Sequence, residues 1–315
     1  MKFAKETRSD ISLTPAEVLI EAFPWIKNIT GKTVVIKYGG AAMVDAKLRD
    51  AVMSDIVMLK IMGVNPVIVH GGGAAITRNM ERWGLDVEFK HGQRVTTDEA
   101  MDVVKMTLIG KVNEELVLSM NEHGNLAVGV NGADAGTIVA DTADPDLGRV
   151  GKVVEINPDY INSLIASAYV PIIASVGKGV DGGSFNINAD AAAGAIAAAI
   201  GAHKIIFLTD VDGYYADFTD KESLVSKMTL QEAKDLIDQG KISKGMIPKL
   251  QSCITALEHG VLNAHIINGT TPHSLLLELL TSPGVGTILY DTMAEAEKED
   301  MHPLGLLASR LSENL

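Results

Sequence analysis

Thr33-Val34-Val35-Ile36-Lys37-Tyr38-Gly39-Gly40 decides the fold, and Pro66-Val67-Ile68-Val69-His70-Gly71-Gly72-Gly73 repeats its form. Each is a short apolar run that stops at consecutive glycines. That pattern reads as a buried strand delivering a turn of bare backbone. Turns without Cβ atoms let main-chain N–H groups close on an anion. Lys37, at the end of the first run and beside its glycines, reads as a phosphate contact; taken alone, an exposed edge lysine is the plainer alternative.

Working outward, the spacing predicts a helix over 46–62, a strand at 65–70 and a helix at 74–83. Strand–helix–strand–helix is the grammar of right-handed crossovers onto a parallel sheet, so the fold class is α/β. Residues 86–96 read as a hairpin turning at His91-Gly92. Asp98 is placed to cap a long helix reaching Asn121. Strands are expected near 125–130, 137–141, 150–155 and 170–175, with a helix at 159–168. A glycine-rich loop at 177–183 precedes Ser184-Phe185-Asn186-Ile187-Asn188-Ala189-Asp190 and an alanine helix. A strand at 204–209 ends in Asp210-Val211-Asp212-Gly213. Thr229-Leu230-Gln231-Glu232 is a capping box, Gly245-Met246-Ile247-Pro248-Lys249 opens a further helix, and strands at 264–267 and 286–289 close the chain. Ahead of the first strand, Thr14-Pro15-Ala16-Glu17 opens a helix that Pro24 should kink. The expected organisation is an N-terminal helix (1–30), an N-lobe (31–180), a C-lobe (181–290) and a polar tail (291–315).

Composition narrows the function. The chain has 315 residues, of which 47% are hydrophobic and only 4% aromatic, as in parallel-sheet proteins built from Val/Ile strands and Ala/Gly helix contacts. Its formal charge of −13 argues against nucleic acid or an anionic membrane surface as partner, while leaving room for a locally basic pocket. Cys253 is the sole cysteine, which rules out an intrachain disulfide and suits a reducing cytoplasm. No apolar stretch reaches membrane-spanning length and no signal core follows the N-terminus, so a cytoplasmic protein is expected.

Several chemistries drop out. Gly31-Lys32-Thr33 lacks the glycine that a P-loop needs at position 26, and Ile76 breaks a dinucleotide fingerprint after Gly71-Gly72-Gly73. Cys/His zinc pairs and a Gly-x-Ser-x-Gly elbow are both missing. What remains is Lys37, the two glycine turns, Asp190 opening an apolar helix, Asn186 and Asn188 alternating before it, and Lys249 in the first turn of a helix. Singly each has a plain reading: an N-cap for Asp190, a solvated side chain for Lys249. In this order they form a pattern.

That pattern resembles the amino acid kinase family, and within it the acetylglutamate kinases. The carrying segments are Val35–Gly40, Val69–Gly73, Gly92–Thr96, Phe185–Asp190, Leu208–Gly213 and Gly245–Lys249. The resemblance implies a three-layer αβα sandwich of two lobes around a mainly parallel sheet. It implies transfer of the γ-phosphoryl of ATP, its Mg2+ held mainly by the phosphates, to the γ-carboxylate of N-acetyl-L-glutamate. Catalysis falls to Lys37, Asp190 and Lys249. The acceptor falls to Gly71, Gly72, Gly73, Arg94, Asn186 and Asn188, and the nucleotide to Gly39, Gly40, Thr209, Asp210, Val211 and Met246. A subclass inhibited by arginine is implied by the N-terminal helix with His265, Glu278, Gly284 and Gly286, and such helices interlace dimers into hexamers. A docking signalling protein is compatible but unreadable. The rivals are a sister kinase acting on another carboxylate or on carbamate, an inactive arginine-sensing binding protein and, more distantly, a dehydrogenase.

Overall fold

The described residues of this computed structural model are 2–3, 15–43, 45–243, 245–281 and 284–293. They begin with β1 (Lys2–Phe3) and α1 (Pro15–Ile29), then β2 (Thr33–Tyr38), α2 (Ala46–Ile61), β3 (Asn65–His70) and α3 (Gly73–Arg82). A hairpin of β4 (Phe89–Lys90) and β5 (Gln93–Arg94) leads into a long helical run. It consists of α4 (Asp98–Lys105), a π-helical stretch (Met106–Asn113) and α5 (Glu114–Asn121). Next come β6 (Ala127–Asn131), β7 (Ile138–Thr142), β8 (Val150–Ile156), α6 (Asp159–Ala166), β9 (Val170–Ala174), β10 (Val176–Gly179) and β11 (Ser184–Ile187). The last third holds α7 (Ala189–Ala199), β12 (Lys204–Thr209), β13 (Val225–Thr229), α8 (Leu230–Asp238), α9 (Ile247–Glu258), β14 (Asn263–Asn268), α10 (Ser274–Leu280) and β15 (Thr287–Tyr290).

The central sheet has the order β1-β13-β15-β14-β12-β2-β3-β9-β6. From β14 to β6 every neighbouring pair is parallel, and β15 reverses direction against β14. Side chains alternate across a strand, and the two faces feed two cores. Val35, Val67 and Val69 join Ala192, Ala193, Ile196, Leu250 and Cys253 from α7 and α9. Val34, Ile36, Tyr38 and Ile68 join Val52, Met53 and Ile56 of α2 and Leu275 and Leu279 of α10. Helices therefore cover both faces, which is the expected αβα sandwich. The small residues of α7 admit α9 closely: a Cβ on Gly194 would stand 2.9 Å from the Ser252 carbonyl oxygen. Parallel register brings the C-terminal ends of β2, β3, β9 and β12 to one edge, where open α/β sheets place their ligands.

Some expectations change. Residues 177–183 are not all loop: β10 pairs with β11 and β7, and β7, β8, β10 and β11 close into a small separate barrel. An additional strand, β13, pairs antiparallel with Lys2–Phe3, and no local spacing predicts it. The long helix after residue 98 is α-helical only at its ends. Its cap is Thr97, whose hydroxyl accepts from Ala100 N, with Asp98 the first helical residue. The hairpin turns at His91-Gly92 as expected, both with positive φ, the signature of a type I′ turn. Thr14 and residues 294–315 of the tail lie outside the described residues.

Candidate active site

Three charged side chains from three elements meet at that edge. Lys37 projects from β2 on the face covered by α7; Asp190 sits in the first turn of α7; Lys249 sits in the first turn of α9, after Pro248. Lys37 Nζ lies 2.9 Å from Asp190 Oδ1, an ion pair rather than an aligned hydrogen bond. Lys249 Nζ donates to Asp190 Oδ2 at 3.3 Å. Burial by itself raises the Asp190 carboxyl, but the two ammonium groups outweigh it and hold the group below the usual carboxylate range. Two cations share one anion, so the cluster keeps a net positive charge suited to an incoming phosphoryl group. Asn188 supplies the α7 cap, its Oδ1 accepting from Asp190 N at 2.8 Å and Ala191 N at 3.1 Å. The plain reading of Asp190 as an N-cap therefore does not hold.

The glycine turns flank this cluster. A Cβ on Gly39 would stand 3.0 Å from Lys37 Nζ, so the missing side chain makes room for the amine. Gly40 takes a φ of +74°, the left-handed region that favours glycine. Gly71 lies against Ala189, and a Cβ on Gly72 would meet Leu108 Cδ2 at 2.7 Å. Gly72 is also the N-cap of α3, whose unpaired first-turn N–H groups favour anions. A cavity of about 220 Å³ opens beside Gly40, Gly72 and Gly73, with Arg49, Arg78 and Lys111 in its lining.

Arg94 is buried, and among the described residues no carboxylate pairs with it. Its Nη2 donates to Gly73 O at 3.0 Å and Thr77 Oγ1 at 2.6 Å, and its guanidinium lies 4.7 Å over the Phe89 ring. Burial lowers its pKa. A desolvated cation held this way, with no carboxylate beside it among the described residues, can take an anion as its partner. Asn186 Nδ2 donates to Thr96 Oγ1 at 3.3 Å, and that hydroxyl donates to Arg94 O, so Asn186 and Arg94 belong to one network.

Thr209 ends β12, its hydroxyl accepting from Val211 N and donating to Val211 O. Asp210 is exposed in that turn, and Met246 is the buried residue preceding α9. His265, Glu278, Gly284 and Gly286 do converge. Glu278 Oε1 meets His265 Nδ1 at 2.7 Å, while Oε2 accepts from Val285 N and Gly286 N. A Cβ on Gly284 would stand 2.8 Å from Glu278 Oε2. Burial raises the Glu278 carboxyl, yet His265 and the two amides outweigh it and its pKa falls. Glu278 is thus wholly buried with both oxygens engaged. Sequence motifs assign no role to His70 or Asn113. The only signal for His70 was a polar residue ending an apolar strand; Asn113 sits in a π turn that no spacing announces.

The amino acid kinase family pattern matches residues 32–268. Over 279 residues the chain is 49% identical to the acetylglutamate kinase of Thermoanaerobacter pseudethanolicus, covering 88% of this chain and 93% of that one. The chain belongs to the amino acid kinase family, among its acetylglutamate kinases. The acetylglutamate kinase of Methanocaldococcus jannaschii is 45% identical over 286 residues, covering 87% and 95% of the two chains. Among solved folds, this amino acid kinase superposes on the N-acetylglutamate synthase of Neisseria gonorrhoeae complexed with coenzyme A and N-acetyl-glutamate. The TM-score is 0.78 at 22% identity, with 89% of this chain and 64% of that one covered. Carbamate kinase from Giardia lamblia bound to AMP-PNP gives a TM-score of 0.64 at 19% identity, over 83% and 99% of the chains. At those identities the two structures speak for the fold alone.

Proposed function

We propose that this amino acid kinase moves the γ-phosphoryl of ATP onto the γ-carboxylate of N-acetyl-L-glutamate, yielding N-acetyl-L-glutamyl 5-phosphate for arginine biosynthesis. The observation that carries the reading is the Lys37–Asp190–Lys249 cluster beside two glycine turns. An acceptor carboxylate with a pKa of about 4 is already ionised at neutral pH and needs no general base. One of its oxygens attacks the γ-phosphorus, and the bond to ADP breaks with its electron pair leaving on ADP. The barrier is electrostatic: an anion approaches a polyanion, and alignment with charge neutralisation lowers it.

Lys37 takes the transferring phosphoryl from the acceptor side and Lys249 from the nucleotide side. Asp190, held ionised by both, sets their spacing and exchanges no proton. Arg94 seats the α-carboxylate, Asn186 and Asn188 bond the acetamido region, and the N–H groups of Gly71, Gly72 and Gly73 line the acceptor seat. Gly39, Gly40, Thr209, Asp210, Val211 and Met246 border the nucleotide. On this reading residues 31–180 carry the acceptor and 181–290 the nucleotide. When bound with ATP, Mg2+ would be held mainly by the nucleotide phosphates and would neutralise part of their charge.

Trapping the acyl phosphate with hydroxylamine, dependent on both ATP and N-acetyl-L-glutamate, tests the activity. Equal rates with unacetylated glutamate, aspartate or carbamate favour a sister kinase, and no turnover at all favours a binding protein.

Arginine as feedback inhibitor is the regulatory half of the reading. α1 packs on α10, which carries Glu278, so an effector near Glu278 would also touch the N-terminal helix. With both Glu278 oxygens engaged, a guanidinium reaching that carboxylate would compete with His265 and the 285–286 amides. Leu19, Ile20 and Phe23 stand exposed on α1, which supports a homo-oligomer, dimer or hexamer, joined through that helix. Deleting residues 1–30 should abolish inhibition by arginine and reduce the oligomer in sedimentation while basal turnover persists; retained inhibition removes this half. No helix among the described residues is long and apolar enough to cross a membrane. A cytoplasmic location fits the reading.

A further inference from the structure

His70 ends β3 directly before the Gly71-Gly72-Gly73 turn, and its imidazole is completely buried. Its Nδ1 lies 3.0 Å from the carbonyl oxygen of Gly71, and its Nε2 lies 3.0 Å from Asn113 Nδ2. The same Nδ2 donates to Ile172 O at 2.7 Å. A carbonyl oxygen only accepts, so the atom facing Ile172 is the Asn113 amino nitrogen. Its second hydrogen is aimed at Nε2, which must then be the bare ring nitrogen. At the other side of the ring Gly71 O also only accepts, so Nδ1 carries the proton. Both ends of the chain of bonds demand the same tautomer.

The consequence falls on the next peptide unit. In a planar trans peptide the C=O and N–H point in opposite directions. Drawing Gly71 O inward to His70 turns Gly72 N–H outward, away from the core. The turn is tied on either side of that group: Gly71 N donates to Tyr38 O at 3.3 Å and Ile76 N donates to Gly72 O at 2.9 Å. Gly72 N–H itself has no backbone acceptor among the described residues. On the adjacent strand Tyr38 pairs with His70 in register, and its buried hydroxyl donates to Ala42 O at 2.7 Å.

We propose that His70, fixed in its Nδ1–H form by Asn113, is a positioning residue that aims the Gly72 N–H at the anionic oxygens of the reacting groups. It acts through the Gly71–Gly72 peptide and touches no substrate. This rests on the reading that the Gly71–Gly73 turn faces the acceptor and the phosphoryl group. Burial lowers the His70 pKa to about 4, so the ring is neutral at neutral pH and keeps a single proton.

The test compares His70→Leu with His70→Asn in acetylglutamate-dependent ADP release, alongside thermal melts. A misplaced donor near the chemistry costs about 100-fold in kcat, and that is the expected loss for His70→Leu, with KM for ATP kept within about twofold. In His70→Asn the Nδ2–H stands where Nδ1–H stood, and about tenfold or more of the loss should return. Folded His70→Leu with near-parental kcat overturns the proposal, as does an Asn variant no better than Leu. A measurement that needs no variant runs beside these. The ¹⁵N spectrum of His70 in the unaltered protein should show a protonated Nδ1 and a bare Nε2 around neutral pH, and the opposite tautomer overturns the proposal. An unaltered protein inactive on N-acetyl-L-glutamate sinks the acceptor assignment instead, and the tautomer spectrum still decides the hydrogen-bond assignment.

Discussion

The Lys37 ammonium meets the Asp190 carboxylate at 2.9 Å, although one residue ends a central strand and the other opens a helix packed across it. Both side chains are almost wholly buried, so the pair is worth most through what its loss would strand. Removing one member of a buried ion pair costs about 3–5 kcal/mol, because the partner charge stays behind without compensation. Asp190→Asn should therefore lower the unfolding free energy in urea by about that amount, as two ammonium groups are left facing each other. It should also cut kcat by about 100-fold or more, the loss typical of a misplaced electrostatic donor. A variant as stable and as active as the parent would contradict the role given to this carboxylate.

Arg94 offers the opposite balance. Its guanidinium is buried with no carboxylate paired to it among the described residues, so the folded protein carries the cost of desolvating it. Arg94→Met keeps the bulk, removes the charge and should leave stability unchanged within about 1 kcal/mol or raise it. The same change should raise KM for N-acetyl-L-glutamate about 10–100-fold, the worth of a lost charge-assisted hydrogen bond, with KM for ATP unmoved. Arg94→Lys should not rescue, since a point charge cannot reproduce the planar fork. Equal rises in both KM values would show that Arg94 shapes the whole site rather than seating the acceptor.

Acid should loosen the protein through His70. Its pKa drops from the ordinary value of 6.5 to about 4 on folding, so between these values the unfolded chain binds the additional proton. Stability then rises with pH across that window and levels off above it, by about 3 kcal/mol in total. Asp190, also held below its ordinary value, adds a further loss only at lower pH, below the usual carboxylate range. Urea melts of the parent and of His70→Asn, from about pH 7 down to pH 4.5, separate the two, because the variant lacks the first phase. Parallel curves would remove His70 as the source.

How much of this was readable in the residues follows from the range of each interaction. Lys37, Asp190 and Lys249 were legible because each stands beside a local signal: a strand running into glycines, an alanine helix, a proline at a helix start. The capping box at Thr229 and Glu232 was legible for the same reason, and both of its reciprocal bonds form. β13 carries only five residues, Val225-Ser226-Lys227-Met228-Thr229, with no clean alternation; it exists because β15 and Lys2–Phe3 pair with it. β10 hides in Val176-Gly177-Lys178-Gly179, where glycine suggests loop. There Gly177 and Gly179 are needed because a Cβ would press on Ala140 and on the Phe185 ring within the small barrel. His70 and Asn113 are joined only through the fold, so no window of sequence contains their bond.

Gly72 gives a test of the space beside Leu108. Its φ of 177° lies outside the left-handed region that favours glycine. What alanine brings is a Cβ placed 2.7 Å from Leu108 Cδ2, inside the π-helical stretch that also holds Asn113. Overpacking of this kind costs about 1–3 kcal/mol. Gly72→Ala should be destabilised by that amount, and Leu108→Ala by about 2–5 kcal/mol through the cavity it leaves. In the double variant the new methyl group occupies part of that cavity, so its loss should fall short of the sum by about 1 kcal/mol or more, a coupling expected only between touching residues. The double variant should also regain turnover relative to Gly72→Ala, because relief of the clash lets the Gly71–Gly72 peptide return to the orientation His70 sets. Strict additivity in the urea melts, or a double variant no more active than Gly72→Ala, would show that the glycine is required for something other than the space beside Leu108.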